Sequence, residues 1–202
     1  MFKDGKKALL DLLKEPLLLH GFEHLKDLSF GRSRRDGMEL LSFSARRGTA
    51  GEFCFSFGAG VRFKKLEALL RPDAEDDLMP TISKPLSVLK EGPGFPEWCF
   101  DGQAKPEDIV NQVLADIGRH ALPFLERYSS LAEVQEALSQ EDPRQWFVFT
   151  PEQRLATLAA IEHLEGRTAD AVHRLDTGLQ ALEAAPLKKR WALQKLRERL
   201  KT

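Results

Sequence analysis

One stretch decides the fold: residues 53–63 read Phe53-Cys54-Phe55-Ser56-Phe57-Gly58-Ala59-Gly60-Val61-Arg62-Phe63. Apolar side chains fill the odd-numbered positions, and small or polar side chains fill the even-numbered ones. Successive side chains of a β-strand point to opposite faces of the sheet. The pattern therefore predicts an antiparallel strand whose apolar face packs against helices.

The residues on either side of this stretch predict the remaining strands. Residues 28–33 and 41–45 also alternate, and Asp36-Gly37 between them predicts a hairpin. A type I′ turn at that dipeptide would need positive φ at both central residues. Two weaker strands are expected within residues 81–89 and 97–101, which lie on either side of a proline- and glycine-rich gap.

Helical periodicity governs both ends of the chain. Residues 2–20 place Leu9, Leu13 and Leu17 on one face, and Gly21 is a typical helix end. From Pro106 onward the apolar spacing is helical. A helix pair at residues 151–184 has the size of a tetratricopeptide repeat, but one pair is not a solenoid because such repeats need stacked neighbours.

These elements predict an α+β protein with two parts. Its antiparallel sheet of four to five strands is packed against helices and followed by a helical C-terminal region. Residues 1–142 are expected to form the α+β domain. Residues 143–202 are expected to form a helical hairpin and a terminal basic helix that pack on the first domain.

Composition indicates a folded protein without a strong overall field. The 202 residues are 42% hydrophobic and 30% charged, with a formal net charge of −1. These values exclude wholesale disorder and give no general attraction to nucleic acid or to an anionic membrane. No apolar segment is long enough for a membrane span. The two cysteines, Cys54 and Cys99, are interpreted as reduced thiols of a cytoplasmic protein, with a single structural disulfide as the alternative.

Catalytic and metal-binding motifs are missing from the sequence. It contains no GxSxG, HExxH, GxGxxG or phosphate-loop pattern. His20 and His24 have the spacing of two ligands on one helix face, but Gly21 between them predicts the helix end. We therefore expect no cofactor and no metal, and the pattern favours a binding protein over an enzyme.

Two charged segments are candidate interaction sites. The acidic loop contains Asp73, Glu75, Asp76 and Asp77, and it is the predicted partner-binding segment because an acidic loop suits a basic protein. A solvated loop is the plainer interpretation. The C-terminal segment, residues 188–201, is basic and includes Trp191, which is compatible with nucleic-acid binding. Its leucine stripe favours a packed terminal helix with a basic outer face.

Several short motifs resemble one bacterial family. They are Leu17-Leu18-Leu19-His20-Gly21-Phe22, Leu28-Ser29-Phe30-Gly31-Arg32, Phe55-Ser56-Phe57-Gly58-Ala59-Gly60-Val61 and Leu122-Pro123-Phe124-Leu125-Glu126-Arg127-Tyr128. Over residues 5–140 the chain resembles the family called domain of unknown function 4304. One departure is Ser42-Phe43-Ser44, where that family often has glutamine. The resemblance implies an α+β fold and no established chemistry. Similar small proteins often accompany secreted bacterial toxins.

Two functions follow as expectations. The first is a cytoplasmic protein-binding module, specifically an immunity protein that binds and inhibits a bacterial toxin. The alternative is a small-ligand-binding protein or enzyme whose site lies on the open sheet face. That site would comprise Arg32, Ser42, Ser44, Cys54 and Ser56. A pocket at these residues would favour the alternative, whereas a covered face would exclude it.

Overall fold

The computed structural model describes residues 2–72, 78–90, 96–140, 150–184 and 186–201. The chain divides into two compact units. Residues 1–61 and 83–127 form the first unit, and residues 62–82 and 128–202 form the second. The expected domain boundary at residues 142–143 lies outside the described residues and stays a prediction.

Six strands within the described ranges form one sheet. They are β1 (Glu23–His24), β2 (Ser29–Arg34), β3 (Gly37–Arg47), β4 (Phe53–Phe63), β5 (Ile82–Pro85) and β6 (Trp98–Phe100). The strand order is β1-β2-β3-β4-β5, and β6 pairs with β4 beside this path. The predicted antiparallel sheet, including the two weak strands near Pro85 and Trp98, is confirmed.

The described helices occupy the positions where the sequence has a helical period. They are α1 (Phe2–Leu19), α2 (Lys64–Leu70), α3 (Leu86–Leu89), α4 (Pro106–Asp116), α5 (Leu122–Arg127), α6 (Leu131–Ser139), α7 (Pro151–Leu164), α8 (Thr168–Ala181) and α9 (Leu187–Leu200). A π-helical turn, Ile117–Ala121, joins α4 to α5. The predicted α+β class with a helical C-terminal region is confirmed. None of the helices in the described ranges has both the length and the apolar character that a membrane crossing requires.

The hairpin between β2 and β3 forms, but its turn differs from the prediction. Arg34 pairs with Gly37, so the two-residue loop is Arg35-Asp36 and Gly37 already belongs to β3. Neither loop residue has positive φ. The predicted type I′ turn is therefore wrong, because the register places the loop one residue before the Asp-Gly pair.

Aromatic packing on β4 forms the core of the first unit. Phe55 and Phe57 both lie against Trp98 of β6, with ring centroids 5.9 Å apart in each case. Phe43 of β3 approaches Phe57 from the other side, at 5.6 Å. We call this side of the sheet the Phe face. The rings bury a large apolar area and hold β3 and β6 on either edge of β4.

Helix α1 packs on the same face. Leu9, Leu13 and Leu17 are fully buried, as the spacing predicts. The Phe2 ring lies 5.1 Å from the Phe53 ring, and a Cβ added to Gly5 would come within 2.6 Å of Phe53. The helix is therefore seated directly against the start of β4. The expected packing of a helix on the Phe face is confirmed.

The second unit is organised around α7. Seven consecutive residues, 156–162, are buried, so this helix is enclosed on all sides. It contacts α2, α6, α8 and α9. A capping box at Thr150 and Gln153 begins the helix, and Gly166 with φ of +83° follows its end. Helices α7 and α8 form the expected hairpin.

Two exposed glycines provide a matched test of backbone conformation. A Cβ at Gly118 or at Gly166 would meet no atom within 4 Å, but only Gly166 has positive φ. We expect Gly118→Ala to raise the free energy of unfolding by about 0.5–1 kcal/mol, because alanine favours the helix. Gly166→Ala should lower it by about 1 kcal/mol, because alanine is strained in the left-handed region. Urea unfolding of both variants measures the difference, and equal shifts would contradict these backbone assignments.

Candidate binding groove

A buried carboxylate lies near the C-terminal end of α7. The side chain of Glu162 is only 4% exposed, although it belongs to a helix whose neighbouring positions are apolar. Burying an ionised carboxylate is costly unless it is paired and hydrogen-bonded. The side chains that pair with Glu162 therefore constrain the packing of this part of the second unit.

Arginines from the following turn and helix supply those partners. Arg174 of α8 donates through Nε to both carboxylate oxygens of Glu162 at 3.0 Å, and through Nη2 to Oε1 at 2.5 Å. Arg167, in the turn between α7 and α8, lies 3.7 Å from the same carboxylate and also pairs with Glu165. This bidentate contact between the Arg174 guanidinium and the Glu162 carboxylate fixes the orientation of α8 against α7.

This network forms one side of a cavity of about 650 Å³ in the second unit. We call it the α7–α8 groove. Its lining residues are Leu155, Glu162, Arg167, Asp170, His173, Arg174, Thr177, Gly178 and Ala181. Leu155 is half-buried and Gly178 is buried, whereas His173 and Thr177 are exposed. The groove therefore combines an apolar floor with a polar rim.

The rim arginines keep their charge over the whole range in which proteins are ordinarily studied. The hydrogen bond to Glu162 raises the pKa of Arg174 above its ordinary value. The hydrogen bond to Glu165 raises the pKa of Arg167 in the same way. A raised folded-state pKa stabilises the fold at lower pH, and this contribution is lost only as pH rises through the arginine pKa. The loss therefore falls in strongly alkaline solution, and both guanidinium groups remain cationic near neutrality.

The sequence did not reveal the groove, because its charged partners are 12 residues apart, which is not the spacing of neighbours on one helix face. Glu162 and Arg174 belong to different helices and meet only when the hairpin closes. One signal was available. Glu162 directly follows Ala159-Ala160-Ile161, so it falls inside an apolar run, where a charge needs a partner.

The segment predicted to bind a partner consists of acidic residues. Asp73, Glu75, Asp76 and Asp77 lie outside the described residues. Their role in partner binding stays a prediction.

Helix α9 is packed through the leucine stripe that its sequence predicts. Leu193, Leu196 and Leu200 are buried. Several basic side chains of this helix have partners in the second unit, because Arg197 pairs with Asp176 and Arg199 donates to the carbonyl of Leu69 at 2.7 Å. This packing favours the expected structural role of the segment over nucleic-acid binding.

The five residues expected to share the open sheet face do not share it. Arg32 pairs in register with Glu39, on the Phe face, and its guanidinium lies 4.7 Å from the centre of the Phe22 ring. Ser42 and Ser44 occupy alternate positions of β3 on the opposite face. The grouping was wrong because Arg32 lies two residues after Phe30 in β2, and strand alternation places both side chains on the Phe face.

Arg32 instead belongs to an ion-pair network around a buried carboxylate. Its Nε donates to Glu39 Oε2 at 2.5 Å, and Arg34 pairs with the other oxygen of the same carboxylate. The side chain of Glu39 is 1% exposed. Arg32 also donates to the carbonyl of His20 at 2.9 Å, beyond the end of α1. The network therefore connects the β2–β3 hairpin to the end of that helix.

The face of β4 opposite the phenylalanines is covered as well. Ser56 is 5% exposed and Cys54 is 1% exposed. Arg46 of β3 donates through Nε to Glu97, which precedes β6, at 2.8 Å. Strands β3 and β6 lie on either side of β4, so an ion pair between Arg46 and Glu97 spans β4. The burial of Ser56 and Cys54 leaves no open surface at these two residues, which counts against the expected ligand site there.

The two cysteines are joined. Cys54 of β4 lies directly opposite Cys99 of β6, with Cα atoms 4.1 Å apart, and their sulfur atoms are bonded. The predicted pair of reduced thiols is therefore wrong in this structure, and the alternative of a single disulfide holds. Antiparallel pairing brought together two residues that are 45 positions apart, a separation without any local motif.

No family model, no curated protein and no solved structure matches this chain. The groove, the ion pairs and the cysteine pair therefore supply the functional arguments.

Removing the carboxylate of Glu39 tests the Arg32–Glu39–Arg34 network. We expect Glu39→Gln to lower the free energy of unfolding by about 2 kcal/mol, because two arginines lose their buried counter-charge. The loss stays below that of a fully buried pair because Arg34 is 40% exposed and can be hydrated. Glu97→Gln is the matched control: its partner Arg46 is 59% exposed, so the loss should be below about 1 kcal/mol. Urea unfolding compares them, and a larger effect at Glu97 would contradict the assignment.

Reducing the disulfide tests its contribution to stability. The bond closes a loop of 45 residues, so reduction should lower the free energy of unfolding by about 2–4 kcal/mol. Urea unfolding with and without a phosphine reductant, in the presence of a chelator, measures this change. A Cys54→Ser, Cys99→Ser double variant should unfold like the reduced chain and ignore the reductant. A wild-type chain that also ignores the reductant would contradict the cross-link.

Proposed function

We propose that this protein is a non-catalytic protein-binding module that uses the α7–α8 groove as a contact surface. The observation that carries the proposal is the composition of that groove. Its apolar floor is surrounded by side chains that are charged and substantially exposed, with Arg174 37% exposed and Asp170 66% exposed. An apolar centre within a polar rim is the usual anatomy of a protein interface.

The arginines of the rim are suited to a protein partner. Arginine is enriched among the residues that contribute most to protein–protein binding. Arg174 is held in place by Glu162, so it loses little conformational freedom when a partner binds. A small-molecule pocket usually encloses most of its ligand. The exposed rim of this groove is better suited to a side chain or short segment of a larger molecule.

An immunity protein is the specific form of this proposal. Its support is the resemblance of residues 5–140 to domain of unknown function 4304 and the acidic segment Asp73, Glu75, Asp76 and Asp77. An acidic loop would attract a basic toxin and speed its association. In that role the protein would bind the toxin in the cytoplasm and cover its active surface.

The cytoplasmic location has a direct chemical test. Disulfides are rare in reducing compartments. A thiol-trapping experiment on cells rapidly quenched with acid would reveal the state of Cys54 and Cys99 in the living cell. Mostly reduced thiols would support the cytoplasmic proposal, whereas a fully formed disulfide would contradict it.

The binding proposal is tested first by a pull-down of the tagged protein from its own cells, followed by titration with the purified partner. We expect Thr177→Arg to weaken binding by about tenfold or more, because a bulky cation would enter the groove. Gln180→Arg is the matched control: this residue is also exposed on α8 but does not line the cavity, so its dissociation constant should stay within about twofold.

The outcomes separate the general proposal from its specific form. Equal affinities for the two variants would remove the groove from the interface. A bound partner that is not a toxin, or a toxin that retains its activity in the complex, would exclude the immunity role. No stoichiometric partner under gentle conditions would count against a protein-binding function.

A further inference from the structure

Three metal-ligating side chains meet at the start of β4. Glu52 precedes the strand, Cys54 lies two residues later on the same face, and Cys99 lies opposite Cys54 on β6. One carboxylate oxygen and the two sulfur atoms all lie within 4.8 Å of one another. Glu52 is positioned by the turn before it, since its carboxylate accepts a hydrogen bond from the Ala50 amide at 2.9 Å.

This set of donor atoms suits zinc. Thiolates and a carboxylate are ordinary zinc ligands, with Zn–S distances of about 2.3 Å and Zn–O distances of about 2.0–2.2 Å. A tetrahedron with these lengths requires donor atoms about 3.3–3.8 Å apart, so the two bonded sulfur atoms must move apart after reduction. The two sulfurs cannot bind the ion while they are bonded to each other, so only the reduced pair provides the ligands.

We propose that reduction of the Cys54–Cys99 disulfide creates a zinc site formed by Cys54, Cys99 and Glu52. Water would fill the fourth position. The site opens on the side of Glu52 and Cys99, which are both half-buried, while Cys54 is buried beneath them. This partial exposure gives the ion an entry path. The inference does not depend on the proposed protein-binding function, because the groove belongs to the second unit and the cysteines to the first.

The chemistry balances with a dithiol as the reductant. One thiolate of the dithiol attacks the Sγ atom of Cys99, which is the more exposed residue of the pair, and Cys54 leaves as a thiolate. The second thiolate of the dithiol then attacks the dithiol sulfur that is bonded to Cys99. Cys99 leaves as a thiolate. Two electrons have passed from the dithiol to the protein, and the dithiol has become a cyclic disulfide. Zinc binding displaces the protons from any protonated cysteine.

Nearby charges are compatible with a cation. Asp101 follows Cys99 by two residues, and Glu97 precedes it by two, so the region around the pair is acidic. Glu97 is engaged by Arg46, and Asp101 accepts a hydrogen bond from the Gln103 amide at 2.9 Å. Glu52 differs from both, since its carboxylate lies with the sulfurs.

The full chain, reduced with a phosphine under anaerobic conditions, tests the proposal. We expect one zinc ion per reduced chain, measured by competition with a chromophoric chelator, and none per oxidised chain. Cobalt in place of zinc should give the near-ultraviolet charge-transfer band of a thiolate ligand. Bound zinc should also slow the reaction of both thiols with an alkylating reagent.

Variants assign the three ligands. Cys99→Ser should abolish the cobalt–thiolate band or halve it. Glu52→Gln should weaken zinc binding by about tenfold or more, by analogy with the loss on removing a group that supports a metal site. Asp101→Asn is the matched control: it removes a carboxylate two residues from the other cysteine, and its zinc affinity should match that of the wild type.

Several results would overturn the proposal. Failure of the reduced wild-type chain to bind zinc would do so, provided that its circular dichroism shows it to be folded. So would equal binding by oxidised and reduced chains. Loss of binding in Asp101→Asn but not in Glu52→Gln would refute Glu52 as the third ligand. Circular dichroism of each variant identifies any loss of binding that results from unfolding.

Discussion

The burial of both faces of β4 is the constraint on which the first unit depends. Its odd-numbered side chains pack against α1 and the aromatic rings of neighbouring strands, while Cys54 and Ser56 on the other face are also buried. A strand enclosed in this way needs cover on its polar side. The disulfide and the Arg46–Glu97 ion pair supply it, since both reach β6. Small side chains on that face leave room for these contacts.

In the second unit the main constraint is a buried carboxylate on an enclosed helix. Glu162 is stable there because Arg174 contacts both of its oxygens, and the same contact sets the position of α8. The α7–α8 groove is a consequence of this arrangement, with charged side chains around an apolar floor. The residues of this structural ion pair thus also belong to the proposed binding surface. A partner would meet a surface whose arginines are already ordered.

The candidate sites of the two units differ in how they respond to the cell. The guanidinium groups of Arg167 and Arg174 are cationic near neutral pH, as arginine ordinarily is, and their carboxylate partners raise the pKa of both further. The Cys54–Cys99 pair responds to redox conditions, and it offers either a covalent cross-link or two zinc ligands. If the protein works in a reducing compartment, the second state becomes the relevant one. Stability would then come from the metal instead of the disulfide.

Local patterns determined the elements of this protein. Alternation predicted β4, and the leucine spacing predicted α1 and α9. Each of these signals acts over a few residues, so the sequence alone contains it. Tertiary structure alone decided the joining of Cys54 to Cys99 and the pairing of Glu162 with Arg174. These outcomes depend on strand register and helix packing between distant segments, and such contacts leave no periodic trace in the sequence.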